Sequence, residues 1–200
     1  MIKNIVFDIG NVLVRWDPLS VVTNIFPQEA DPVQLTTQLF KSDFWFAINR
    51  GEINETELIH KYHQTLNIDL NTLKLLLVAI KESLVPLPGS FELLDDLYKA
   101  DYPLYALTDN TFEIMHYLRQ KYDFWHKFKG VVMSAEIGYL KPSPHIYRHL
   151  LETYHLNPHE TVFMDDYMTN VEGARAVNMQ AFQFINAEQC LAELARLGIN

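Results

Sequence analysis

The sequence predicts a doubly wound α/β protein, a mostly parallel sheet covered by helices on both faces, with an all-helical segment inserted early in the chain. Three observations predict it. Short β-rich apolar runs alternate with segments whose apolar residues recur at three- and four-residue spacing. The first run is apolar on both faces, as a strand in the middle of a helix-covered sheet must be. Between the first and second runs, residues 16–85 carry helical periodicity and no convincing strand.

Residues 2–7, Ile-Lys-Asn-Ile-Val-Phe, form the first predicted strand, cut off by Asp8, Ile9, Gly10 and Asn11. Residues 102–107, 161–164 and 181–185 read alike, and 130–132 is a weaker strand. Helices are predicted over 92–99, 113–120, 143–154, 170–177 and 187–197. Ser143 before Pro144 is a favourable helix opening, a side-chain cap followed by a residue with preset φ. Within the insert, Asn54-Glu55-Thr56-Glu57 reads as a capping-box start for a helix through Leu66, and 70–84 as a second apolar-rich helix. Pro86, Pro88 and Gly89 mark the return. The expected organisation is therefore an α/β core made of 1–15 and 86–200, with 16–85 as a helical subdomain.

The composition suits this. A chain of 200 residues that is 48% hydrophobic and 20% charged can bury one good core plus a small accessory unit. The net charge of -9 argues against nucleic acid or an anionic membrane surface as partner. An acidic protein handling an anionic ligand must then gather positive charge locally, from a metal ion or one or two lysines. The single cysteine, Cys190, leaves no disulfide framework or Cys-rich metal site and suits a reducing compartment. No run approaches the roughly 18 apolar residues of a membrane span, and the first residues do not read as a signal peptide. A cytoplasmic monomer is expected.

Ligands of doubly wound sheets collect at the carboxyl ends of the strands. There the sequence places Asp8, then Thr108-Asp109-Asn110, then Lys141-Pro142, then Asp165-Asp166. Each has an ordinary reading alone: Asp8 as a turn residue, Thr108 as a helix cap, the Asp pair as charge at a helix start, Lys141 as surface. Converging at one rim they compose a site for phosphoryl transfer. One carboxylate attacks phosphorus and forms an acyl-phosphate. Others hold Mg²⁺ through hard oxygen ligands, while an ammonium and a hydroxyl meet the phosphate oxygens.

The segments Phe7-Asp8-Ile9-Gly10-Asn11-Val12, Leu107-Thr108-Asp109, Lys141-Pro142 and Met164-Asp165-Asp166 with Asn170 resemble, in order, the four motifs of the haloacid dehalogenase-like hydrolases. The first motif, the Asn49-Arg50-Gly51-Glu52-Ile53 segment and the Asp-Asp pair look like the branch that includes the bacterial α-glucose-1-phosphate phosphatase. The resemblance implies a Rossmann-like core with a helical cap and an Mg²⁺-dependent phosphatase of small esters such as sugar phosphates. It implies Asp8 as nucleophile and metal ligand, with the Gly10 carbonyl and Asp166 as further ligands. Thr108, the Asp109 amide, Asn11 and Lys141 would bind phosphate, Lys141 also neutralising the nucleophile. Asp165 would sit beside the metal or orient Lys141. Arg50 and Trp45 of the insert are candidates to touch the substrate.

One position departs from the family pattern. Most of its phosphatases carry a second Asp two places after the nucleophile, as acid and base, and here that residue is Gly10. A cap histidine such as His60 or His63 is one replacement, an intrinsically good leaving group such as an anomeric hydroxyl another, and slow turnover a third. Two other functions compete: a metal-independent haloacid dehalogenase using the same Asp, and a phosphate-binding regulatory protein with little turnover.

Overall fold

The computed structural model describes residues 1–199. Five strands, β1 (Asn4–Phe7), β2 (Leu104–Thr108), β3 (Phe128–Met133), β4 (Thr161–Asp165) and β5 (Gln180–Gln183), form one sheet in the order β3-β2-β1-β4-β5. Every pairing is parallel, so the carboxyl ends share one rim. The chain winds outward from β1 in both directions, which opens a crevice at its carboxyl end. β3 occupies an edge and exposes Lys129, which is why its apolar pattern in the sequence is weak.

Between β1 and β2 come α1 (Pro18–Ile25), α2 (Pro32–Phe40), α3 (Asp43–Asn49), α4 (Glu55–Leu66) and α5 (Leu70–Ser83), then α6 (Ser90–Lys99). α1 and α2 each open on Asp-Pro: Asp17 caps Ser20 N at 3.1 Å and Asp31 caps Gln34 N at 2.8 Å. The capping box at Asn54 and Glu57 forms as expected. The two crossings between insert and sheet run side by side, Arg15 N donating to Val85 O at 2.8 Å and Leu87 N to Leu13 O at 3.0 Å.

The remaining helices are α7 (Phe112–Lys121), α8 (Ser134–Ile137), α9 (Pro144–Thr153), α10 (Met168–Ala176) and α11 (Ala187–Arg196). Side-chain alternation along the strands sets the layers. Ile5, Phe7, Leu104, Ala106, Val162 and Met164 face one apolar cluster, which α6, α7 and α11 complete through Leu94, Leu118 and Cys190. Val6, Tyr105, Leu107 and Phe163, one residue out of step, face another, closed by Ile146 and Leu150 of α9 and Val171 of α10. The apolar sides of α1 to α5 join the first cluster through Val22, Leu39, Leu58 and Leu76. Among the described residues no helix is long and apolar enough to cross a membrane.

Candidate active site

Topology brings the polar residues together. β1 lies between β2 and β4, so Asp8, Asp109 and the Asp165-Asp166 pair leave three neighbouring strands at the same rim. Lys141 reaches them from the segment between α8 and α9. Its ammonium is fully buried, 2.8 Å from Asp8 Oδ1 and 2.7 Å from Asp165 Oδ2, and donates to Leu107 O at 3.3 Å. An ammonium has three N–H donors, so this geometry commits Lys141 to the nucleophile candidate and its support.

Asp165 is completely buried and both its oxygens are taken. Oδ1 accepts from Tyr167 N at 2.8 Å and Asn170 Nδ2 at 3.0 Å, and Oδ2 from Lys141. Of the two roles left open for it by the sequence, orienting Lys141 matches these contacts. Asp166 is half-buried and engages Asn11, whose Nδ2 donates to Oδ2 at 3.1 Å. Asn11 sits in the left-handed region at φ 52°, a conformation Asn tolerates, and its Oδ1 accepts from Trp16 N at 2.8 Å. Both ends of Asn11 are thus used in positioning Asp166 and Trp16.

Burial sets the charges. It pushes the Asp8 carboxyl well above the ordinary carboxylate range, helped by Asp165 and Asp166 against the pull of Lys141. Asp109 is pushed up to about 6 by burial, although its carboxylate accepts from Lys141 N at 3.1 and 3.2 Å. Burial also raises Asp166, against the hydrogen bond from Asn11. Burial alone would lower Lys141, but Asp165, Asp8 and Asp109 outweigh it and hold the ammonium above the usual lysine range. Among the described residues lining the cavity, Lys141 is the one cation, beside three carboxylates, Asp8, Asp109 and Asp166, with the buried Asp165 behind it. Oxygens of Asp8, Asp165 and Asp166 lie within 4.8 Å of one another, and that surplus of hard, negative donors fits a divalent cation such as Mg²⁺.

A cavity of about 440 Å³ opens above these groups. Asp8, Gly10, Asn11, Asp109, Lys141, Asp166 and Trp45 line it. Three expectations differ from what is found. Arg50 does not reach the wall: Gly51, at φ 70°, turns the chain so that Glu52 pairs with the guanidinium, Nε to Oε1 at 2.6 Å. Thr108 is the last residue of β2, 1% exposed, its hydroxyl 3.4 Å from Asn110 Nδ2, and it is Asn110 that reaches the wall, while Thr111 caps α7. His60 and His63 lie outside the cavity, His63 Nδ1 being 2.7 Å from Ile68 O. Asn110 and Asn170, which the sequence placed with the strand-end motifs, line the wall, whereas Phe40 and Trp16 beside Trp45 were not expected there. Of the Asn49-Arg50-Gly51-Glu52-Ile53 segment, Asn49 is the residue that reaches the wall.

Known proteins agree with this geometry. The sesquiterpene phosphatase astK of Aspergillus oryzae is 26% identical over 195 residues, spanning 98% of this chain and 96% of that protein. The D-ribitol-5-phosphate phosphatase of Bacteroides thetaiotaomicron is 26% identical over 212 residues, 97% of each chain. A haloacid dehalogenase family enzyme from the same bacterium, solved in complex with magnesium and inorganic phosphate, superposes with a TM-score of 0.73 over 92% of this chain and 94% of its own, at 21% identity. The haloacid dehalogenase-like hydrolase family matches residues 2–178, and with the motif residues gathered at the strand ends the chain belongs to that family and is an enzyme of it.

Proposed function

We propose that this protein is an Mg²⁺-dependent phosphatase of small phosphate monoesters that works through an aspartyl-phosphate on Asp8. The observation that carries the reading is the buried Asp8–Lys141–Asp165 chain, with contacts of 2.8 and 2.7 Å, at the floor of the cavity. Lys141 holds Oδ1 of Asp8, and among the described residues no hydrogen bond engages Oδ2, which is left to attack phosphorus. The P–O bond to the alcohol breaks as the Asp8–phosphorus bond forms, and water then cleaves the acyl-phosphate. Asp8, Asp166 and the Gly10 carbonyl would hold the cation. Bound there, it supplies the charge neutralisation that lets an anionic ester approach two carboxylates. Residues 16–85 act as the cap, with Trp45 at the leaving group.

The cluster of carboxylates at Asp8, Asp165 and Asp166 disfavours a metal-independent dehalogenase, and the intact Asp8, Lys141 and Asp166 set disfavours a silent phosphate-binding protein. Glucose 1-phosphate, the expectation from the first motif, suits a site without a spare acid, because an anomeric hydroxyl leaves with little protonation. Relatives named for a sesquiterpene and for ribitol 5-phosphate bracket the leaving group between apolar and polyol.

The test is phosphate release from a panel of esters, with and without Mg²⁺, by wild type and Asp8→Asn. Metal-dependent release that falls on the order of 10³-fold or more in Asp8→Asn is the expected result. Release that survives the substitution, or halide release from a haloacid without metal, would overturn it.

A further inference from the structure

The walls of the cavity above Asp8 are largely aromatic and apolar. Trp16 and Trp45 stack with centroids 5.8 Å apart and an 18° angle between planes, and Phe40 meets both edge-on at 5.7 and 4.9 Å. Phe46, Leu84 and Ile114 continue this surface. Such rings offer flat, apolar contact, with the indole N–H of each Trp as the polar handle. Hydroxyl groups turned toward the ring faces would surrender hydrogen bonds to water with few replacements. The amide nitrogens of the four asparagines on the wall are turned to the protein: Asn49 Nδ2 donates to Trp45 O at 2.8 Å, Asn11 Nδ2 to Asp166 and Asn170 Nδ2 to Asp165, and Asn110 Nδ2 faces Thr108 Oγ1 at 3.4 Å. The aromatic wall is also fixed relative to the phosphate end, since Asn11 ties the Trp16 amide to the Asp166 carboxylate.

A second observation concerns the leaving oxygen. Among the described residues no histidine lines the cavity, and its carboxylates are engaged, Asp8 with the Lys141 ammonium, Asp109 with the Lys141 amide and Asp166 with Asn11. A site with no free acid favours an alcohol that departs as its anion. Phenols, with pKa near ~10, do so far more readily than aliphatic alcohols.

Building on the phosphatase reading above, we infer that the cavity takes the phosphate monoester of an apolar aromatic alcohol, its ring against Trp16, Phe40 and Trp45 and its phosphate over Asp8. The P–O bond to the phenol breaks, the phenolate carries away the electron pair, and it takes its proton from solvent.

The test compares kcat/KM of the Mg²⁺-loaded protein for 1-naphthyl phosphate, O-phosphotyrosine, geranyl phosphate, glucose 1-phosphate and acetyl phosphate. The first two release phenols of similar acidity but differ in the polarity of the body. 1-Naphthyl phosphate is expected to exceed O-phosphotyrosine by about tenfold or more, and glucose 1-phosphate by a wider margin. Equal or reversed rates overturn the inference, and so does geranyl phosphate outrunning 1-naphthyl phosphate. Trp45→Gln, and Phe46→Gln at a wall position that is 38% exposed, should both lower the ratio of 1-naphthyl phosphate to O-phosphotyrosine. An unchanged ratio in Phe46→Gln and in folded Trp45→Gln counts against it. Acetyl phosphate has no alcohol body: Asp8-dependent turnover of it without a naphthyl preference sinks this inference alone, whereas no Asp8-dependent turnover of any member of the panel sinks the phosphatase reading.

Discussion

Lys141 and the carboxylates around it compress the chemistry of the site into a few buried side chains. Removing its charge would strand Asp8 and Asp165 without a counter-ion in a place where unpaired charge is costly. Asp109 shows the same physics on a pH axis. Its folded-state pKa of about 6 lies above the ordinary value of 3.8, so the native state holds this proton more tightly than the unfolded chain does. The stabilisation is therefore complete below the unfolded value and is lost as pH rises through the folded one. In metal-free protein, Asp109→Asn should gain stability relative to wild type between pH 4 and pH 6.5, by on the order of 2 to 3 kcal/mol, read from urea melts across that range. A difference that stays flat with pH would remove this account of Asp109. Asp8, Asp109, Lys141, Asp165 and Asp166 were legible in the sequence because parallel strands deliver whatever follows them to one rim. Arg50 and Thr108 were not, because a local turn toward Glu52 and a side chain turned toward Asn110 decide where they point.

Among the elements, the contact between α3 and α8 ties the insert to the sheet. Ser134 Oγ donates to Asn49 O at 2.7 Å and accepts from Asn110 N at 3.0 Å, joining the end of α3 to the loop after β2. Just beyond, Gly51 has φ 70° and a Cβ there would stand 2.2 Å from Ala135 O, while Gly138 has φ 76° and open space around it. Alanine at either position carries left-handed backbone strain of roughly 1 to 3 kcal/mol, but only at Gly51 must the backbone of α8 also move. Gly51→Ala should therefore lower Tm clearly more than Gly138→Ala, and equal losses would show that this contact is not tight. Ser134→Ala should cost about 1 to 3 kcal/mol by leaving a buried carbonyl and amide without partners, checked by the same melts. The helices of the α/β part and the capped α4 were readable from periodicity and caps. The bounds of α1, α2 and α3 were not drawn, although Asp17-Pro18 and Asp31-Pro32 carry the same opening signal as Ser143-Pro144.

For the whole molecule, a net charge of -9 and the crowding of Asp8, Asp109, Asp165 and Asp166 around one ammonium predict that a cation bound there would add to stability. A cation at a hundred times its Kd adds about 2.7 kcal/mol to the native state, which for a chain of this size raises Tm by roughly 5 to 10 °C. Mg²⁺ should produce such a shift in wild type, and Asp166→Asn should lose most of it; an equal shift in both would place the ion elsewhere. The doubly wound architecture was legible at this scale because alternating strands and helices with buried, two-faced apolar strands admit few other folds. The aromatic walls were not, since Trp16, Phe40 and Trp45, all within residues 16–85, meet only when the segment before α1 packs against the end of α2 and the start of α3. The central claim is covalent phosphorylation of Asp8, and the most direct measurement is acid quenching during turnover followed by mass spectrometry of the peptides. The account predicts a phosphoryl group on the peptide carrying Asp8 in wild type and none in Asp8→Asn; sustained phosphate release with that peptide never modified would contradict it.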